Sequence, residues 1–434
     1  MTTNSTWAAL RNPAFRKLWG AAVISGTCVV AHDNAATWMM SVFTGSPLLI
    51  SLMSTVASLP FFLFTLPAGA VADRVDRQKL VCTINVCMAA AALTLAVLGW
   101  AHLLNPYLIL GGVLFIGVGF AINAPAWASI VRQVVSDGEL SSAATLGSLQ
   151  FSIAGIIGPV LGGILVLLAG ANFVFALNAA CFLLVVVATR QWKHPTLPAK
   201  LPSESFLESF ATIIRYVRNA PGFQAVLARN FLFALFISVI PALMPVAGLK
   251  VLHLSSSSLG LLFTSMGAGS VVGAVFIIPR LRTRLSPDRL TLSANFLLVL
   301  VYVSMALVRQ TELFFAVAAL AGVGWTIAAS ELWVAAQRAM PSWARGRLNA
   351  TVIMISQGAM ALGGVIWGSA GAIAGTSYTL LGAAVLLLSS LFLARRLSIN
   401  FARDLEERVS GALPIRIEPK EATSIALKRE LLAA

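Results

Sequence analysis

Residues Leu80–Trp100 read LVCTINVCMAAAALTLAVLGW, an uncharged apolar run bounded upstream by Asp73-Arg74-Val75-Asp76-Arg77-Gln78-Lys79. A bilayer core of about 30 Å takes roughly 20 helical residues, so this run has the length of a single membrane crossing. The next run, Pro106–Ile130, follows after a few residues, and the pattern recurs along the chain. Twelve spans are expected, near 18–42, 47–71, 79–101, 106–130, 143–168, 172–189, 224–248, 257–279, 289–308, 312–337, 347–372 and 375–394. Unpaired backbone groups are too costly in lipid, and the runs far exceed barrel strands, so the expected class is an all-α membrane protein.

Composition agrees. Of 434 residues, 58% are hydrophobic and 11% charged, against about 45–50% and about 25% in soluble domains. Mean hydropathy is +0.88. The net charge of +14 would suggest nucleic acid in a soluble chain, but here the positions of the charges decide. If loops after odd-numbered spans lie outside, they hold only Lys250 and Arg309, and the other 28 of the 30 Lys+Arg lie at the N-terminus, in even loops or in the tail. That asymmetry obeys the positive-inside rule and places both termini in the cytoplasm. No nucleic-acid partner is expected. The first apolar stretch is a full span without a small-residue cleavage site, so no cleavable leader is expected. Cys28, Cys82, Cys87 and Cys181 fall inside spans as small buried hydrophobes, without metal-ligand spacing.

The longest internal polar stretch, residues 190–223, divides six spans (1–189) from six more (224–394) and leaves a tail at 395–434. Within it Phe206, Phe210, Ile213, Ile214 and Val217 recur at helical spacing opposite Glu204, Glu208, Arg215 and Arg218. This predicts an amphipathic helix on the cytoplasmic membrane face, with a flexible hinge as the alternative. The tail, with Phe401, Leu405 and Val409, fits a surface helix. Leu161-Gly162-Gly163 in span five recurs as Leu362-Gly363-Gly364 in span eleven, and Arg132-Gln133 aligns with Gln337-Arg338. Parallel six-helix repeats are an architecture of secondary transporters, whose substrate site lies near the midplane between the halves.

The loop Gly69-Ala70-Val71-Ala72-Asp73-Arg74-Val75-Asp76-Arg77-Gln78-Lys79 resembles the cytoplasmic loop motif of the major facilitator superfamily. Leu10-Arg11-Asn12-Pro13-Ala14-Phe15-Arg16, Thr44-Gly45-Ser46-Pro47, Asn123-Ala124-Pro125, Gly158-Pro159-Val160-Leu161-Gly162-Gly163 and Arg345-Gly346-Arg347 resemble its branch of bacterial exporters that includes the enterobactin exporter and the transmembrane secretion effectors. The resemblance implies the major facilitator fold, with spans one, four, seven and ten around a central cavity, and export from the bacterial inner membrane. The departures are Asp76 in place of the usual glycine, Ala154 in place of a further glycine, and no buried arginine in span four matching the motif linked to proton coupling.

The loop also has a physical reading. Gly69 allows close helix approach, Asp73 can bond the positive end of a neighbouring helix, and Arg74, Arg77 and Lys79 can pair with that carboxylate or with anionic lipid. These residues then latch one orientation of the halves; plain topogenic charge is the alternative. Within the spans, ionisable groups are few: His32 and Asp33, beside Asn34, near the centre of span one and Glu331 in span ten. Charge at the bilayer centre costs about 2.5–3.5 kcal/mol on insertion scales, so such groups face a bundle interior or water. Asp33 is the expected proton-coupling site, Glu331 a second site or cation-recognition group, and His32 a candidate partner. A fixed ion pair, such as Glu331 with Arg338, is the alternative. Trp38, Asn123, Trp127, Gln150, Asn230, Trp325 and Gln357 are candidate cavity residues, Gly158, Pro159, Gly162 and Gly163 are expected at helix contacts, and Pro241 and Pro245 should bend span seven.

The absence of any Gly-Lys dipeptide excludes the phosphate-cradling loop of an ATPase. The four scattered histidines, 32, 102, 194 and 253, argue against a membrane-embedded enzyme. The expectation is a monomeric, cofactor-free secondary transporter that exchanges protons for a small amphipathic substrate, with a proton-independent facilitator as the alternative.

Overall fold

The computed structural model describes residues 7–192, 214, 216–340 and 345–397, and within these the side chains of 69–74, 137, 345–347 and 393–396 lie outside the described set. Twelve long helices dominate: α1 (Pro13–Phe43), α2 (Pro47–Arg74), α3 (Arg77–Trp100), α4 (Pro106–Val134), α5 (Leu140–Ala169), α6 (Ala171–Gln191), α7 (Pro221–Val251), α8 (Ser256–Arg282), α9 (Pro287–Leu307), α10 (Thr311–Arg338), α11 (Arg345–Ala374) and α12 (Thr376–Arg396). Eleven have the length and apolar character of a membrane crossing, and Thr376–Phe392 of α12 is a shorter apolar helix. Among the described residues there is no strand. The helices begin where the local chemistry favours a start. Side chains of Asn12, Asp76, Asn105, Ser255 and Ser286 accept from first-turn N–H groups of α1, α3, α4, α8 and α9. The sharp turns into α6 and α12 fall on Gly170 and Gly375, at φ of 82° and 87°, a left-handed conformation that glycine adopts without strain.

Successive helices reverse direction, so loops after α1, α3, α5 and so on gather at one end, here the odd-loop end, and the rest at the even-loop end. In the first half α5 and α6 pack on α1, α2 and α3 pack on α4, and α3 packs on α6; in the second, α7 and α8 pack on α10 and α9 on α12. The halves join through α2 with α11 and α5 with α8.

The repeated Leu-Gly-Gly triplets sit at these joints. A methyl on Gly162 would lie 2.6 Å from the Ala31 carbonyl oxygen of α1, and one on Gly163 would lie 2.7 Å from the Ser256 oxygen of α8. In the second half a methyl on Gly363 would lie 2.7 Å from the Leu235 oxygen of α7, while Gly364 abuts Thr55 of α2. In each triplet, therefore, the middle glycine meets the first helix of its own half and the last meets the second helix of the other half. Hydrogen bonds reinforce the seam: Thr264 Oγ1 donates to Ile156 O at 2.8 Å, Thr55 Oγ1 to Ala361 O at 3.1 Å, and Lys250 Nζ to Ser41 O at 2.8 Å.

These described bonds and glycine contacts between the halves run from the odd-loop end to the middle and reach no further than Gly155 with Gly267 and Phe62 with Gly358. The apolar clusters repeat the asymmetry. Near the odd-loop end Val246 of α7 is buried with α1 and α2 residues, and Trp38 of α1 packs on the core of the second half. At the even-loop end, Leu18, Val81, Ile130 and Val185 form a cluster within one half, and Phe223, Val226, Met340 and Leu348 one within the other. Among the described residues the halves thus meet from the odd-loop end to the middle, and these contacts do not continue to the even-loop end.

Three features differ from or refine the sequence reading. Helix α7 is interrupted at Ser238, between Pro221–Ile237 and Val239–Val246, and ends in a π turn at Ala247–Val251; the prolines at 241 and 245 remove backbone donors there. Cys87 is exposed, whereas Cys28, Cys82 and Cys181 are buried. Five residues along a helix rotate about 140°, so Cys82 and Cys87 cannot share a face. Of the 190–223 stretch, 193–213 and 215, with Phe206 and Phe210, lie outside the described residues; 216–219 are helical, with Tyr216 donating to Ala339 O at 3.0 Å. The tail beyond Leu397 is also outside them.

The two glycines of one triplet should fail differently. Gly162→Ala overpacks a contact within one half, costs about 1–3 kcal/mol, and should lower the melting temperature in detergent. Gly163→Ala pushes on the seam between halves and should leave that temperature nearly unchanged while increasing thiol-reagent access to a single cysteine introduced at the odd-loop end of the seam in a chain cleared of its own four. Equal losses of stability in both variants would contradict this division.

Candidate substrate pathway

Three consecutive residues of α1 point in three directions, because each step along a helix turns about 100°. His32 is fully buried, its ring 4.8 Å from that of Phe175 on α6. Asn34 donates from Nδ2 to Pro159 O of α5 at 3.1 Å. The Asp33 side chain between them is 47% exposed, with Oδ1 3.4 Å from His32 Nδ1. His32 Nε2 has no hydrogen-bond partner among the described residues.

Glu331 on α10 is 3% exposed and accepts from Arg282 Nε at 2.7 Å; the Arg282 side chain is 44% exposed and also donates to Ser330 Oγ at 3.2 Å. The partner is thus Arg282 of α8 rather than Arg338. Helix α8 widens into a π turn at Gly273–Ile277 and continues as Ile278–Arg282, three residues past the expected end of span eight, and this carries the guanidinium to α10. A second pair, unforeseen in the sequence, joins buried Arg229 of α7 to Asp288 of α9, with Arg229 also donating to Leu397 O at 3.3 Å. Both pairs lie within the second half.

In the first half, Trp127 and Gln150 come together in one pocket at the even-loop end, with Phe15, Trp19, Arg132 and Phe151, which the sequence reading did not single out. Those four lie on three different helices, so no single periodicity marks them. Two bonds hold α1 to α5 beside the pocket: Trp19 Nε1 donates to Leu146 O at 2.9 Å and Gln150 Nε2 to Ala22 O at 3.3 Å. Asn123 lies one turn from Trp127, and its Oδ1, like Gln357 Oε1, is buried without a partner among the described residues. The other candidates lie apart: Asn230 donates to Val226 O at 2.9 Å, and Trp38 and Trp325 pack on the apolar core of the second half.

In the loop before α3, the side chains of Gly69, Asp73 and Arg74 lie outside the described residues. Asp76 Oδ1 accepts from Lys79 N at 3.1 Å, and Gln78 Nε2 donates to the carbonyls of Thr189 and Trp192 at 2.7 and 2.8 Å, pinning the loop to the end of α6. Arg77 is half-buried and Lys79 exposed.

Two six-helix halves joined along a seam form a multi-pass membrane protein of the major facilitator fold, not an enzyme. Residues 4–419 match the model of the transmembrane secretion effectors, and the chain belongs to that family. It is similar to macrolide efflux protein A of Streptococcus pyogenes, 20% identical over 265 residues that span 61% of this chain and 65% of that protein. It is also similar to the enterobactin exporter EntS of Citrobacter koseri, 25% identical over 271 residues spanning 61% and 63%. The chain thus matches less than two thirds of the length of these relatives. A solved bacterial homologue of the human lysosomal transporter Spinster shares the fold at a TM-score of 0.72 and 14% identity, over 90% of this chain and 98% of that one.

The Arg282 and Glu331 pair yields a stability test. Arg282→Gln leaves a buried carboxylate uncompensated and should cost roughly 1–3 kcal/mol, less than a fully enclosed pair because the guanidinium is partly solvated. The double variant with Glu331→Gln should recover most of that loss in a melting assay. Additive losses would show that the two side chains do not act as a pair.

Proposed function

We propose that this transporter is a proton-coupled exporter of small amphipathic compounds, such as drugs, siderophores or metabolites. It works by alternating access in the bacterial cytoplasmic membrane, as a monomer with both termini in the cytoplasm. The observation that carries the proposal is Asp33, a half-exposed carboxylate deep in α1 beside a fully buried imidazole. A carboxylate at that depth is tolerated toward water or a polar interior, and one whose hydration changes as the halves rock can take up and release a proton. The two carboxylates then divide their roles: Glu331 is matched by Arg282, which leaves Asp33 to carry the proton and His32 to sense its charge.

The excess of Lys and Arg in the even loops and at the ends supports placing the even-loop end in the cytoplasm, so the parted end faces the cytoplasm and the sealed end faces out. The efflux and exporter names of the relatives support outward transport. In the opposite orientation, Asp73 and Arg77 latch the cytoplasmic side while lipid headgroups meet Lys79. A proton-independent facilitator of the same fold differs only in what Asp33 does.

Purified protein in liposomes holding an internal pH dye, under an imposed pH gradient, separates the two. Challenge with a panel of amphipathic compounds should trigger proton flux, and Asp33→Asn should reduce that flux to background. Compound movement without proton flux, or an unaltered rate in Asp33→Asn, would favour the facilitator.

A further inference from the structure

Between the even-loop ends of α1, α4 and α5 lies a cavity of about 400 Å3, within the range of roughly 300–1,000 Å3 that small-molecule sites occupy. Helices α3 and α6 cover the far sides of α1 and α4, and α5 flanks α1, so the cavity opens toward the second half, where the halves part. At its mouth Phe151 is 77% exposed, and a methyl on Gly147 would meet nothing within 4 Å.

Its walls are mostly apolar and carry four aromatic rings: Phe15 and Trp19 from α1, Trp127 from α4 and Phe151 from α5. Three of the four rings are held in advance. Trp19 is tied to Leu146 O, Phe15 packs with Val135 and Leu146, and Trp127 packs with Leu18 and Ile130. A ligand therefore meets three ring surfaces that are already ordered, which favours binding. Arg132 is the one charged residue of the lining, and neither a hydrogen bond nor an ion pair engages its guanidinium among the described residues. The lining contains no carboxylate; nearby, Glu139 already accepts from Ser136 N and Oγ at 3.2 and 2.8 Å. Flat aromatic walls suit the faces of planar rings, and an unpaired guanidinium suits an anionic oxygen group. Among the described residues the lining offers a cation no counter-charge, and a polyol would find few hydrogen-bonding partners.

We infer that this pocket is the capture site for amphipathic organic anions that carry a planar ring system. The inference rests on the exporter reading only for its place in the cycle, where the site is filled from the even-loop side before the halves rock.

The test uses the full chain in phosphatidylcholine nanodiscs and two probes of opposite charge, 8-anilinonaphthalene-1-sulfonate and rhodamine 6G, each followed by its own fluorescence. The anionic probe should bind saturably, Arg132→Gln should weaken it roughly tenfold or more, as loss of a charge-assisted contact does, and Arg132→Lys should restore part of it. Rhodamine 6G should bind more weakly and gain or stay level in Arg132→Gln. Because Arg132 is exposed, the variant should keep the wild-type melting temperature; Trp127→Ala, which should weaken the anionic probe while leaving Arg132 in place, gives a second readout. Anionic-probe binding that ignores both substitutions overturns the inference, as does stronger binding of the cation. Displacement of the probe from wild type alone by phosphatidylglycerol would assign the pocket to a lipid headgroup and also overturn it. Efflux assays on the same variants keep the two readings apart. Transport with binding indifferent to Arg132 sinks this inference alone, and binding dependent on Arg132 without any transport sinks the exporter reading alone.

Discussion

The structure depends on one crossing, where residues 155–163 of α5 pass between α1 and α8 with backbone against backbone on both sides. Gly158 and Gly162 turn toward α1, Gly163 turns toward α8, and the carbonyl oxygens of Gly155 and Pro159 abut Gly267 and Gly260 of α8. In lipid the hydrophobic effect contributes little to helix association, so close packing of small residues and hydrogen bonds to bare carbonyls carry it. A side chain at Gly158, Gly162 or Gly163 would separate the helices by more than dispersion contacts tolerate. The same contact holds α5 in its own half and sets the line along which that half meets the other. Because α11 repeats the arrangement between α7 and α2, the seam has two parallel rails, and a rocking motion about them leaves both halves internally intact.

Within this frame the buried charges are arranged by half. The second half neutralises its own, Arg229 with Asp288 and Glu331 with Arg282, and its polar groups hold helices together. The first half keeps Asp33 partly exposed, sets the buried His32 ring at a tilt against Phe175, and leaves Arg132 at the even-loop mouth without a partner among the described residues. Structure is concentrated on one side of the seam and unspent charge on the other. In the proposed function, coupling by a proton and capture of a substrate would both fall to this first half, with the second half as the surface that opens and closes against it.

Much of this was legible in the sequence because membrane spans are set by length and hydropathy, quantities that a local window contains. The repeated Leu-Gly-Gly triplets also revealed the two halves, since small residues are tolerated at few other places for the same physical reason. The partner of Glu331 was not legible: Arg338 lies on the same helix, whereas Arg282 lies on another and reaches it only because a π turn extends α8. Nor were Phe15, Trp19 and Phe151, which join the expected cavity residue Trp127 and of which each alone reads as an ordinary lipid-facing or packing aromatic. Local pattern conveys which face of a helix is apolar; it does not convey which three helices will bring their ends together.

The central claim is that the halves pivot on the glycine seam, opening at one end as they close at the other. The most direct measurement is the distance between spin labels placed across the halves, in a chain cleared of Cys28, Cys82, Cys87 and Cys181. One pair at Thr145 and Arg280 reports the even-loop end, and a second at Leu168 and Tyr378 reports the odd-loop end; all four side chains are exposed. The account predicts two populations for each pair, exchanging in opposite senses when substrate or pH is changed. A single unchanged population at both ends, or both ends widening together, would contradict it.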